Sequence, residues 1–248
     1  MASTRNGKQV PCAQCPLLAC GSLCPPDPEQ REWLYEFKIG EVEVAKGKQL
    51  FSQGQPPSGV FTVLRGILMR FRLLEDGRRQ ILNFLFPGDL VGLQGAFDDP
   101  MANAVEALTP AVLCHFPRER FFELVTTHPR LSYDVIWLAG REELALEEHL
   151  IALGQRTAAE RMAYLAVWLV QRGEDTGLAR DGSLEVTITQ SQIADMLGLS
   201  LVHTNRTLQG LRRDGLVQWN LSRIIVPDME AARRFAQFER DTRQRPYL

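Results

Sequence analysis

The chain has 248 residues, 45% of them hydrophobic and 23% charged, with a formal net charge of −2 and five cysteines. That length allows more than one core, and the charge balance excludes a generally basic nucleic-acid coat, so attraction for phosphate must come from a local patch. No apolar run is long enough to span a bilayer and the first ten residues are polar, so the expectation is a cytoplasmic protein with no membrane segment.

Four of the five cysteines, Cys12, Cys15, Cys20 and Cys24, crowd into the first 24 residues, and Cys114 stands alone. A chain of this size in a reducing compartment has little use for disulfides, so the cluster points to a metal or redox site. The same segment holds five prolines up to Pro28 and has no apolar period, which predicts a loop-rich lobe over residues 1–28.

From Val42 to Phe116 short apolar runs alternate with glycines. Val60–Leu64 ends at Gly66, Ile67–Leu73 follows, Glu75-Asp76-Gly77 supplies a hairpin turn, and Ile81–Phe86 stops at Pro87-Gly88-Asp89. Many short strands with regular turns predict an antiparallel sandwich or barrel over residues 29–125.

Beyond Phe116 the period becomes helical. Ile136, Ala139, Glu143, Leu146, Leu150 and Leu153 recur at alternating spacings of three and four. That is a heptad seam, which predicts a homodimer helix within residues 126–155. Glu143 is its one charged position and would face its own copy, weakening the pair. A second helix is expected over Thr157–Arg172.

Residues 156–248 close with a helix-turn-helix. Thr189-Gln190-Ser191-Gln192 has the form of a capping box, Ile193, Met196 and Leu197 give a short helix, and Gly198 permits the turn. Ser200 starts a second helix running to about Arg213. At 100° per residue Leu201, Thr204, Leu208 and Leu211 face one way and pack. Val202, Arg206, Gln209 and Arg213 face the other, flanked by His203 and Asn205. That outward face suits double-stranded DNA. Arg206 fits guanine, Asn205 adenine and Val202 a thymine methyl, while Arg212, Arg213 and Arg223 are suited to phosphates. Leu216–Trp219 and Arg223–Val226 are expected to pair as a wing. Enzyme signatures are missing: there is no Gly-rich phosphate loop, His–Glu metal motif or nucleophile elbow, and the four histidines are scattered.

With Lys46-Gly47, Leu50-Phe51, Gly54, Leu64-Arg65-Gly66, Pro87-Gly88-Asp89-Leu90-Val91-Gly92 and Ala159-Glu160-Arg161, the chain from about residue 40 onward resembles the CRP/FNR family of transcription regulators. The resemblance implies an α+β fold: an N-terminal β-roll (a jelly roll like those that bind cyclic nucleotides), a long dimerisation helix and a C-terminal winged helix-turn-helix. It also implies RNA polymerase as a partner. Cyclic-AMP-binding members carry a Gly-Glu-Leu stretch and an Arg for the phosphate. Here the matching regions are Gln94-Gly95-Ala96-Phe97 and Met101-Ala102-Asn103-Ala104, so a cyclic-nucleotide response is disfavoured. The oxygen-sensing branch holds a [4Fe–4S] cluster on three N-terminal cysteines and one distant cysteine. Cys12, Cys15 and Cys114 match three of those positions, with Cys20 and Cys24 as alternatives for the fourth. A zinc or thiol site, or a regulator with no cofactor, are the competing readings. Familiar oxygen-sensing members carry Glu and then Ser-Arg on the recognition helix. Here Val202, Asn205 and Arg206 stand in those places, which implies an altered half-site.

Overall fold

The structure is a computed structural model that describes residues 3–4, 10–56, 58–94, 99–239 and 243–248, with Ser3 and Thr4 as backbone alone. Ten strands build the N-terminal half: β1 (Ser3–Thr4), β2 (Leu23–Cys24), β3 (Gly40–Val44), β4 (Gln49–Phe51), β5 (Val60–Arg65), β6 (Leu68–Leu73), β7 (Arg79–Leu85), β8 (Leu90–Val91), β9 (Ala104–Ala107) and β10 (Ala111–Phe116). All but β2 form two sheets of antiparallel neighbours, ordered β1-β3-β10-β5-β8 and β4-β9-β6-β7. These sheets face each other as a roll. The near-continuous apolar run Val60–Leu64, interrupted only by the buried Thr62, is explained by burial on both faces. Phe61 and Val63 point into the roll with Val42, Leu68, Val105 and Leu113, whereas Val60 and Leu64 point outward to the cysteine lobe.

Helix α1 (Pro28–Phe37) lies outside the sequence expectations, masked by the prolines around it. Its signal is local: Asp27 and Gln30 exchange capping-box bonds of 2.9 and 2.8 Å, and Pro28 occupies the first turn. Phe37 stacks on Phe116 at 5.9 Å and so seats α1 against β10.

After α2 (Phe121–Thr127) comes α3 (Pro129–Gln155), the long helix expected from the heptad pattern. Leu131, Val135, Leu138, His149 and Ala152 are its buried side. A chain of buried polar contacts fixes it to the roll and to α4 (Ala158–Asp175). The Tyr164 hydroxyl donates to His149 Nδ1 (2.7 Å), and His149 Nε2 meets Asn83 Oδ1 (3.2 Å). Asn83 Nδ2 then donates to Glu142 (3.1 Å), which also pairs with Arg70. Burial, and then the charge of Arg70, push His149 down to about 4, so its ring is neutral near pH 7.

Helix α4 is buried from Met162 to Gln171 and forms the axis of the C-terminal module. Helices α5 (Gln190–Leu197), α6 (Leu201–Arg213) and α7 (Met229–Ala236) pack around it. They are joined by a sheet of β11 (Ala179–Arg180), β12 (Ser183–Glu185), β14 (Arg223–Ile225) and β13 (Gln218–Trp219), in that order. The core of this module is continuous with Phe71, Phe84 and Phe86 of the roll. Residues 243–248 then return to the cysteine lobe, where β15 (Arg245–Pro246) pairs in parallel with β2. Among the described residues no helix is long and apolar enough to cross a membrane.

Candidate DNA interface and cysteine pocket

The helix-turn-helix is set by three local devices. Thr189 and Gln192 close the capping box of α5, Gly198 ends it at φ 64°, and Ser200 Oγ accepts the His203 N–H at 3.2 Å to start α6. A left-handed residue at that stop is strained for anything but glycine. Thr204, Leu208 and Leu211 are buried as expected, but Leu201 is 54% exposed. It shares their side of the helix, but the apolar cover begins only at Thr204, so the first turn projects bare. Val202, His203, Asn205, Arg206, Gln209, Arg212, Arg213 and Arg223 are all exposed. Gln209 Nε2 reaches Asn205 Oδ1 at 3.4 Å, Arg213 lies 3.8 Å from Asp214, and Arg223 pairs with Glu185 of β12. Arg206 and Arg212 make no ion pair among the described residues. The turn from β13 to β14 is held by Asn220 N–H to Arg223 O (3.0 Å) and Ser222 N–H to Asn220 Oδ1 (3.0 Å).

The cysteines divide. Cys12 opens a 3-10 turn (Cys12–Gln14), and Cys15 and Cys20 flank a second (Pro16–Ala19). All three pack, half-buried, against an apolar cluster that contains Leu17, Leu34, Phe37, Val60 and Cys114. Cys114 shares its face of β10 with Val112 and Phe116, so strand parity alone turns it out of the roll and toward the lobe. Cys24 is exposed and does not join this cluster.

Lys38 and Glu41, a buried pair 3.5 Å apart that sequence reasoning missed, clamp the loop. Lys38 Nζ donates to Val10 O (2.6 Å) and Glu41 accepts the Val10 N–H (3.0 Å), two residues before Cys12. Burial raises the thiols of Cys12, Cys15 and Cys20, and raises Cys114 most, with ionised Cys15 and Cys12 adding to the Cys114 shift. Tyr247 is also raised by burial, and Cys15, Cys12 and Cys20 again add to its shift. The four thiols and this phenol thus border one apolar cluster. The Tyr247 hydroxyl is buried without a hydrogen-bond partner among the described residues. No set of three or more His, Cys, Asp or Glu side chains among them is already converged on one point as a metal would need.

A cavity of about 740 Å³ lies between the roll and α3, lined by Leu85, Val91, Met101, Leu146 and Leu150, with Arg70 and Glu142 on its wall. Arg70 is a cation overlooked in the sequence, and Glu142 neutralises it. Gly95, Ala96 and Phe97 lie outside the described residues, while Gln94 accepts from Asn103 Nδ2 at 3.0 Å. The seam residues Ile136, Ala139, Glu143, Leu146 and Leu150 are exposed, and Leu153 is half-buried near Gly198.

Residues 41–128 match the cyclic nucleotide-binding domain and residues 160–235 the Crp-like helix-turn-helix domain. The chain is 30% identical to the transcriptional activatory protein AadR of Rhodopseudomonas palustris, over 88% of this chain and 85% of that one. It is also 30% identical to the transcriptional activator protein anr of Pseudomonas aeruginosa, over 88% and 90%. Among solved structures, FixK2 from Bradyrhizobium japonicum superposes with a TM-score of 0.70 at 24% identity, covering 81% of this chain and 98% of that one. The matched domains cover the roll and the helix-turn-helix, the relatives align over most of both chains, and the chain belongs to the CRP/FNR family of DNA-binding transcription regulators, which are not enzymes.

Proposed function

We propose that the protein binds a palindromic duplex as a homodimer and responds to oxygen or redox state through a [4Fe–4S] cluster on Cys12, Cys15, Cys20 and Cys114. The observation that carries the DNA reading is the outward face of α6, whose exposed Val202, Asn205, Arg206 and Gln209 stand clear of the packed side. Arg206, free of ion pairs among the described residues, is suited to a bidentate guanine contact, and Val202 to a thymine methyl in place of a cytosine contact. Arg206→Ala is expected to abolish site-specific retardation of a palindromic duplex without changing the unfolding midpoint. Unaltered specificity overturns the assignment.

The sensing reading is carried by Cys114, turned outward on β10 into the same cluster as three lobe cysteines. The donor set fits the cluster in kind, four soft thiols beside an unpartnered phenolic donor. Such a cluster, when bound, supplies reversible electron transfer and lability to oxygen. The chain's own part is to bring the thiols together: the Lys38–Glu41 clamp holds the loop at Val10, and the two 3-10 turns carry Cys12, Cys15 and Cys20 over β10. Cys24, exposed and outside the cluster, is the weaker candidate for the fourth ligand. Buried thiols with raised pKa are poor nucleophiles, which tells against a bare thiol–disulfide switch. Protein prepared without air is expected to contain iron and acid-labile sulfide and to lose its broad visible absorption on exposure to oxygen. A colourless protein with stoichiometric zinc, equally dimeric in air, refutes the cluster and leaves the DNA reading intact.

A further inference from the structure

Residues 243–248 lie on the cysteine loop. Arg245–Pro246 runs parallel to Leu23–Cys24, the Arg245 N–H donates to Ser22 O (3.1 Å), and Gln244 Nε2 donates to Gly21 O (3.1 Å). Tyr247 and Leu248, 3% and 7% exposed, enter the apolar cluster that holds Cys114 and against which Cys12, Cys15 and Cys20 pack. Arg245 meets the Asp89 carboxylate at 2.9 Å, and the same carboxylate holds Arg172 of α4 at 2.7 Å. Burial pushes Asp89 up, but Arg172, Arg245 and the Phe86 N–H outweigh it and keep the group ionised. The cysteine loop touches the end of α4 as well: Cys20 Sγ approaches Thr176 O at 3.7 Å, and Ser22 Oγ donates to Asp175 O.

We propose that residues 243–248 form a latch on the cysteine pocket: Tyr247 and Leu248 close it, and Arg245 ties its closure to α4, the helix on which the helix-turn-helix is mounted. The proposal rests on the reading of those cysteines as the sensing site. A two-residue parallel pair has few bonds, so the tail is held chiefly by two apolar side chains, one ion pair and the bonds to Gly21 O and Ser22 O, and lifting it is a local opening rather than unfolding. An unpartnered buried hydroxyl leaves the closed tail poorly satisfied. A sulfur acceptor brought within reach of Tyr247 supplies the missing partner, so rearrangement of the thiols shifts the tail between held and released. Release takes Arg245 from Asp89 and, among the described residues, leaves that carboxylate to Arg172. The Arg172 pair survives, but the Leu23–Cys24 strand loses its parallel partner, and with it the support for the Cys20 and Ser22 contacts to Thr176 O and Asp175 O at the end of α4.

The test uses the full chain, reduced and free of metal, pulsed with iodoacetamide and read at each cysteine by mass spectrometry, with amide exchange followed over residues 171–176. A stop in place of Arg243 is expected to speed alkylation of Cys15 and Cys114 by about tenfold and to raise exchange over 171–176. Arg245→Ala should move both readouts in the same direction, and Arg245→Lys, which keeps the charge for Asp89, should restore them. Alkylation within about twofold of the unaltered chain, in both the truncated protein and Arg245→Ala, overturns closure by the tail. Faster alkylation with unchanged exchange over 171–176 overturns the tie to α4. Because no metal is present in either measurement, a failure here is separate from a failure of the iron–sulfur reading.

Discussion

His149 carries a pH dependence that can be worked out from its neighbours. Its ring accepts from Tyr164 and meets Asn83 while burial holds its pKa near 4, against 6.5 for the free side chain. Between those values the unfolded chain takes up a proton that the folded chain refuses, so stability falls as pH drops from about 6.5 to about 4. The loss over that window is about 3 kcal/mol, and below it the effect levels off because the folded form protonates too. Asp89 acts in a different range. Its folded pKa lies below 3.8, so its contribution is complete above that value and fades only as pH falls through the folded pKa. Urea midpoints measured from pH 7 to 4 should therefore decline in the unaltered protein and stay nearly flat in His149→Gln. An unchanged decline in the variant would show that another group is responsible.

At the scale of elements, α6 depends on its caps because its first turn has no apolar cover. Ser200→Ala removes the oxygen that accepts the His203 N–H and should cost about 1 kcal/mol by thermal or urea denaturation. It should also weaken DNA binding, since Val202 and His203 sit in the turn that frays, whereas a variant that binds DNA as tightly as before means the cap is dispensable there. Signals confined to a few neighbouring residues are legible in the sequence: the capping box at Thr189, the stop at Gly198, the cap at Ser200, the hairpin at Gly77 and the heptad stripe of α3. The outward turn of Cys114 follows from strand parity once β10 is placed. Helix α1 is hidden because the prolines around it outweigh its capping box. Leu201 misleads because a helical wheel gives direction and not the extent of the neighbouring surface. The Lys38–Glu41 clamp, the Arg70–Glu142 pair and the tail's contacts join distant segments, Arg245 meeting Asp89 across much of the chain, and no local pattern announces them.

For the whole molecule, the outer stripe of α3 governs assembly on the proposed reading. Ile136 and Leu150 are 68% and 69% exposed in the single chain, a cost that a second copy removes by covering them. Glu143 sits in the middle of that stripe, and two facing carboxylates oppose the association that the leucines favour. Glu143→Leu is expected to tighten the dimer by roughly tenfold in sedimentation equilibrium. Equal dissociation constants would remove Glu143 from the seam. On the same reading the paired arginine of the wing carries a different consequence. Arg223 already has Glu185, so a phosphate must displace an acid before that arginine can serve it, whereas Arg206 and Arg212 have no acid to displace among the described residues. On a chain whose net charge is −2, the attraction for phosphate then falls to a few side chains of α6, and a shallow dependence of binding on salt is expected. A regulator of that kind is expected to dwell briefly on random sequence and to reach its target by repeated release and recapture rather than by long sliding.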